Sequence, residues 1–162
     1  MLKKSVEDAL NKQANRELYS AYLYLSMSAY FESVNMRGFA RWMRVQAAEE
    51  RSHAMKFLDY IIQAGGRVKL AAIEAPKAEW KSCLQVFEEV YDHEVRVTAM
   101  IHELVNLSIK EKDHATNNML QWFVREQVEE EEHSVEIVAQ IRMIGDIPGH
   151  LFCLDHKLGE RK

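Results

Sequence analysis

Gln46-Ala47-Ala48-Glu49-Glu50-Arg51-Ser52-His53-Ala54-Met55-Lys56-Phe57 lies in the middle of a run without Gly or Pro that extends to Ala64. Read at alternating steps of three and four, the run gives the stripe Phe39, Met43, Gln46, Glu50, His53, Phe57, Tyr60 and Ala64. That spacing is one face of an α-helix. The stripe is apolar at both ends, but its centre holds a carboxylate and an imidazole three residues apart, which are neighbours on a helix surface. Charge at the centre of a core face is costly unless something neutralises it.

Three more stripes of the same kind flank this one. The first is Val6, Leu10, Gln13, Glu17, Ser20, Tyr24, Met27, Phe31. The third is Leu84, Phe87, Tyr91, Glu94, Thr98, Ile101, Val105, and the fourth is Leu120, Phe123, Gln127, Glu130, Ser134, Ile137, Ile141, Ile144. Glycines fall only at 38, 65, 66, 145, 149 and 159, and prolines only at 76 and 148. Between these breakers good helix formers dominate. The punctuation predicts helices over about 5–33, 38–64, 82–111, 114–144 and 148–158, within a single domain covering residues 1–162. Ser82-x-x-Gln85 reads as a capping box, Asp113 as an N-cap and Pro148 as a first helical residue.

Loop lengths set the topology. Helices 1 and 2, and helices 3 and 4, are separated by only a few residues, so each pair is expected to be an antiparallel hairpin. The connection over residues 65–81 is far longer than usual. It can reach roughly 55 Å, while the preceding helix is only ~40 Å long. A full-length crossover joining two hairpins is therefore expected: an all-α, ferritin-like four-helix bundle with a short fifth helix.

Each stripe carries one central glutamate: Glu17, Glu50, Glu94 and Glu130. One inward Glu can reach water with its tip, but four interrupted stripes in one bundle cannot all do so. Metal ions would neutralise the set, and carboxylates with one imidazole suit iron, manganese or zinc. On helix 4 both Glu130-x-x-His133 and Gln127-x-x-Glu130 are open. Glu130 is a candidate in either register, Gln127 an inward neighbour, and His133 falls off the apolar stripe and reads as a surface residue. Glu126, Glu129 and Glu49 lie beside the stripes and, with Glu130, could form an outer third position. Tyr24 faces the same level as a donor of a hydrogen bond or an electron, whereas Trp42, Trp122, Tyr60 and Tyr91 read as core packing.

Composition narrows the function. A net charge of -4, with basic and acidic residues interleaved, gives no footprint for nucleic acid. The longest uncharged segment, residues 18–31, is too short for a membrane span. The first residues turn acidic at once without a signal-peptide core, and Cys83 and Cys153 are far apart. Free thiols and a cytoplasmic location are expected, with the cysteines as small core or interface residues. Ile147, Leu151, Leu154 and Leu158 give the fifth helix an apolar stripe that needs the bundle or another subunit to cover it.

The segments Glu17 to Tyr24, Glu49-Glu50-x-x-His53-Ala54, His93-Glu94 and Leu120-Gln121-Trp122-Phe123-x-x-Glu126-Gln127-x-x-Glu130 resemble those of prokaryotic non-heme ferritins over the whole chain. The resemblance implies an iron-storage ferroxidase of 24 subunits, with the fifth helix lining a fourfold axis. Glu17, Glu50 and His53 would hold one iron, and Glu50, Glu94 and Glu130 the second, with Gln127 beside it. Glu49, Glu126, Glu129 and Glu130 would hold a third iron. The implied reaction oxidises Fe(II) with O2 or H2O2 and deposits Fe(III) as mineral. Bacterioferritins resemble the chain too, but where they carry a heme-ligating Met this sequence has Arg51, so heme is not expected. The rivals are a di-iron oxidase of the rubrerythrin or bacterioferritin type and a metal-free structural bundle.

Overall fold

The computed structural model describes residues 2–145 and 147–161. Five α-helices follow one another: α1 (Lys4–Ser33), α2 (Arg37–Gln63), α3 (Cys83–Lys110), α4 (His114–Ile144) and α5 (Pro148–Leu158). None is long and apolar enough to cross a membrane. α1 pairs with α2 and α3 with α4, giving two hairpins and the expected all-α bundle.

Both hairpin turns use one left-handed residue, Asn35 at φ 61 and Lys112 at φ 56. Each turn closes a backbone bond over the preceding helix end, from Met36 N to the Phe31 carbonyl and from Asp113 N to the Ser108 carbonyl. Asn tolerates this conformation; Lys does so at a local cost. Asp113 caps α4 by accepting from Thr116 N at 3.0 Å. Ser82 is the N-cap of α3 rather than its first residue, accepting from Gln85 N at 3.1 Å. Gln85 returns its bond to Lys81 N at 2.7 Å, one residue before the cap.

The crossover runs up the outside of α1. Asn11 holds it at both Arg67 O (3.0 Å) and Lys69 N (2.6 Å), Asn15 at Ala72 O (3.3 Å) and Ser26 at Lys77 O (2.6 Å). It ends where Trp80 buries itself against Tyr30. Polar side chains on α1 thus satisfy loop backbone that water would otherwise have to satisfy.

α5 folds back on the start of α2, which has no side-chain cap of its own. Asp155 supplies one by accepting from Phe39 N at 2.9 Å. The approach is so close that a Cβ on Gly38 would stand 1.6 Å from the Asp155 carbonyl oxygen. Leu154 is buried, and Leu151 and Leu158 pack on the core, so the bundle covers part of the fifth-helix stripe. Ile147 and Phe152 stay exposed.

The core divides into two apolar clusters. One gathers Met27, Phe31, Phe39, Met43, Phe87 and Ile141; the other gathers Leu10, Phe57, Ile61, Ile101, Leu120 and Phe123. Between them lies a buried polar belt. The stripes of α1, α2 and α4 face inward through this belt as expected. On α3 the expected stripe sits to one side: Leu84, Tyr91, Thr98 and Val105 are half-buried, and the buried line is Val86, Phe87, Val90, His93, Glu94, Val97, Ile101 and Leu104. Tyr60, Tyr91 and Trp122 are likewise half-buried, while Trp42 is in the core.

Candidate metal centre

The belt contains Glu17 from α1, Glu50 and His53 from α2, Glu94 from α3, and Gln127 and Glu130 from α4, all buried. One ligand atom each from Glu17, Glu50 and His53 lies within 4.8 Å of the other two. A second such group joins His53, Glu126 and Glu130. His53 links the two, with Nδ1 3.5 Å from Glu50 Oε2 and Nε2 3.7 Å from Glu126 Oε1. Its ring is fixed edge-on by Trp122 and Phe123, at centroid distances of 5.4 and 6.1 Å.

Amides set the carboxylate rotamers. Gln13 donates to Glu17 Oε1 at 2.7 Å. Gln46 donates to Glu130 Oε2 at 2.8 Å and to Glu50 Oε1 at 3.2 Å. Gln127 donates to Glu94 Oε2 at 3.2 Å, and the Tyr24 hydroxyl donates to Glu94 Oε1. Gln13 and Gln46 therefore each hold the acid four residues on in their own helix, and Gln46 and Gln127 hold one on a facing helix. Partners of this kind orient ligands and set their basicity.

The electrostatics are those of an unbalanced site. No Lys or Arg is buried among the described residues. Burial, then the charge of Glu50, pushes the Glu17 carboxyl well above the usual range. Burial, then Glu94 and Glu130, does the same to Glu50. Burial raises Glu94 to about 7, against the opposing bonds from Tyr24 and Gln127. Burial and the Glu94 charge raise Glu130 to about 7. Tyr24 is pushed up by burial and by Glu94, so it stays a neutral donor. Such a set accepts protons or cations readily, and carboxylate oxygens with one imidazole suit a hard to borderline divalent ion.

The outer acids differ. Glu126 is half-buried and faces His53; Glu129 is exposed and joins neither group; Glu49 is half-buried and pairs with Arg161. His133 is exposed, as its position off the stripe implies. Cys83 and Cys153 are free, the first half-buried and the second exposed.

Sequence reasoning passed over two buried or bridging groups. His93 sits beside Glu94 in the chain but turns the other way, its Nε2 2.8 Å from Ser20 Oγ and its ring edge-on to Tyr24 at 6.0 Å. Burial lowers its pKa to about 4, so it is a neutral packing imidazole. Arg161 reaches the belt from beyond α5, and nothing local in the sequence announces it. The glutamines were visible, since Gln13, Gln46 and Gln127 each precede a central Glu in its own stripe.

The chain matches the model of the ferritin-like domain family over residues 7–144. It is 43% identical over 161 residues to the bacterial non-heme ferritin of Bacteroides fragilis, covering 99% of this chain and 100% of that one. It is 41% identical to a probable bacterial non-heme ferritin-like protein of Haemophilus influenzae, covering 98% and 96% of the two chains. Among solved structures it resembles an open-pore ferritin from Archaeoglobus fulgidus, at 52% identity and a TM-score of 0.99, over 100% of this chain and 99% of that one.

Proposed function

This chain belongs to the ferritin family, and from that premise we propose that it stores iron by oxidising Fe(II) at the buried belt and passing Fe(III) to a mineral inside an oligomeric shell. The observation that carries the reading is the set of four buried glutamates with no buried Lys or Arg among the described residues to balance them. Substrate cations would supply that balance. In this reading Glu17, Glu50 and His53 bind one Fe(II), Glu50, Glu94 and Glu130 bind the second, and Glu50 bridges. Gln127 and Tyr24 hold Glu94 in place.

The two irons together give up two electrons, which with two protons reduce O2 to hydrogen peroxide; peroxide can serve as oxidant in turn. The carboxylates favour the product because their charge stabilises Fe(III) more than Fe(II). Glu126 and Glu49, with Glu129 and Glu130, lead outward from His53 as a third position. Assembly into 24 subunits follows the family resemblance, and the exposed Ile147, just before α5, and Phe152 on it are apolar surface available for such contacts. The free cysteines suit a reducing, cytoplasmic compartment. A heme is not part of the proposal.

Aerobic Fe(II) titration of the iron-free protein tests the reading. Rapid oxidation of the first equivalents, followed by loading of many more irons without precipitation, is the expected result. Oxidation no faster than in buffer would overturn it, and oxidation without further loading would favour a di-iron oxidase.

A further inference from the structure

Arg161 follows the last turn of α5 and is half-buried against α2. Its Nη1 donates to Gln46 Oε1 at 2.8 Å, and its Nη2 donates to a Glu49 carboxylate oxygen. The guanidinium lies over the Trp42 ring, 4.5 Å from its centroid. Its carbonyl accepts from Arg41 Nε at 3.4 Å. Gln46, in turn, is the residue whose amide bridges Glu50 and Glu130.

Two consequences follow from this geometry. An amide oxygen occupied by a guanidinium leaves the NH2 group to face the carboxylates, so Arg161 fixes which way Gln46 points. Among the described residues, Glu49 is the one outer acid paired with a Lys or Arg. A planar fork can hold an amide and a carboxylate while stacking on an indole; a lysine cannot do all three.

Building on the ferroxidase reading, we infer that Arg161 is a positioning residue and a built-in counter-ion: it orients Gln46 over the inner site and occupies Glu49 until a third cation displaces it. The segment after α5 thereby competes with iron for the outer position. The pair is partly exposed, so its competition is worth about fivefold in the affinity of the third cation.

Calorimetric titration of the assembled, iron-free protein with Zn(II), a redox-inert probe, tests this directly. Arg161→Ala is expected to tighten the third equivalent about fivefold, and Arg161→Lys to give a smaller change. In a Glu49→Ala background the Arg161 substitution should have no effect on it. In the wild type, amide exchange of residues 159–161 should accelerate with the third equivalent and not with the first two. An unchanged third affinity in Arg161→Ala, or a gain that persists without Glu49, would overturn the inference. If that variant does not assemble, the wild-type exchange result decides alone. Failure of the underlying ferroxidase reading looks different: no tight Zn(II) in the wild type, or binding that survives Glu50→Ala.

Discussion

Glu50 and Glu49 share a turn of α2, yet Glu50 is buried among three other belt carboxylates while Glu49 lies half-exposed against Arg161. Among the described residues the inner acid has an amide, His53 and other acids around it; the outer one has a guanidinium. Desolvation makes the difference matter. Inside, uncompensated charge raises every carboxyl and leaves a strong demand for cations; outside, water and Arg161 meet most of that demand. On the proposed reading, one helix would offer a tight inner position and a loose outer one by burying one of two adjacent glutamates.

The sharpest way to break the comparison is to delete each acid in turn. Glu50→Ala should slow the initial Fe(II) oxidation by more than the roughly 10–100-fold typical of losing a ligand's supporting partner. Glu49→Ala should change it by no more than about threefold, given its exposed pairing. Stopped-flow absorbance of the ferric product measures both. Equal losses would mean that burial does not separate the two positions.

The next effect is on stability. Glu94 and Glu130 titrate near 7 in the folded protein, above their ordinary range, so the folded form binds protons more tightly. Their contribution is present at low pH and lost as pH rises through about 7. The iron-free protein should therefore melt at lower temperature near pH 8 than near pH 5, and Zn(II) should restore the loss. Scanning calorimetry with and without metal checks this; a melting temperature that climbs over the same range would contradict it.

Smaller effects sharpen the picture. Tyr24→Phe keeps a buried ring and removes the hydroxyl that donates to Glu94, so oxidation should slow by about tenfold or less while the fold stays intact. Glu129→Ala removes an exposed group that joins neither ligand cluster. Its stability change should stay within about 0.5 kcal/mol and its initial rate should match wild type, with only the weakest equivalent of Zn(II) altered.

Much of this was legible from the chain alone, for identifiable reasons. On α1, α2 and α4 the apolar residues recur at one spacing, so Glu17, Glu50 and Glu130 fall inward without ambiguity. α3 misled because Tyr91, Thr98 and Val105 on one flank look as apolar as Val90, Val97 and Leu104 on the other. That shift kept Glu94 but hid the burial of His93. The long crossover followed from the reach of its loop, though its anchoring by Asn11 and Ser26 did not. Arg161 was invisible because its role depends on α5 folding back over Gly38, a tertiary contact that no local pattern encodes.

The most direct test is anomalous diffraction at the iron edge from crystals of the protein soaked with Fe(II) without oxygen. Two strong peaks on either side of the Glu50 carboxylate, one beside His53 and Glu17 and the other beside Glu94 and Glu130, are the expected result, with a weaker peak towards Glu126. Iron absent from the belt, or bound only at the exposed acids, would contradict the assignment of the inner carboxylates as the site of oxidation.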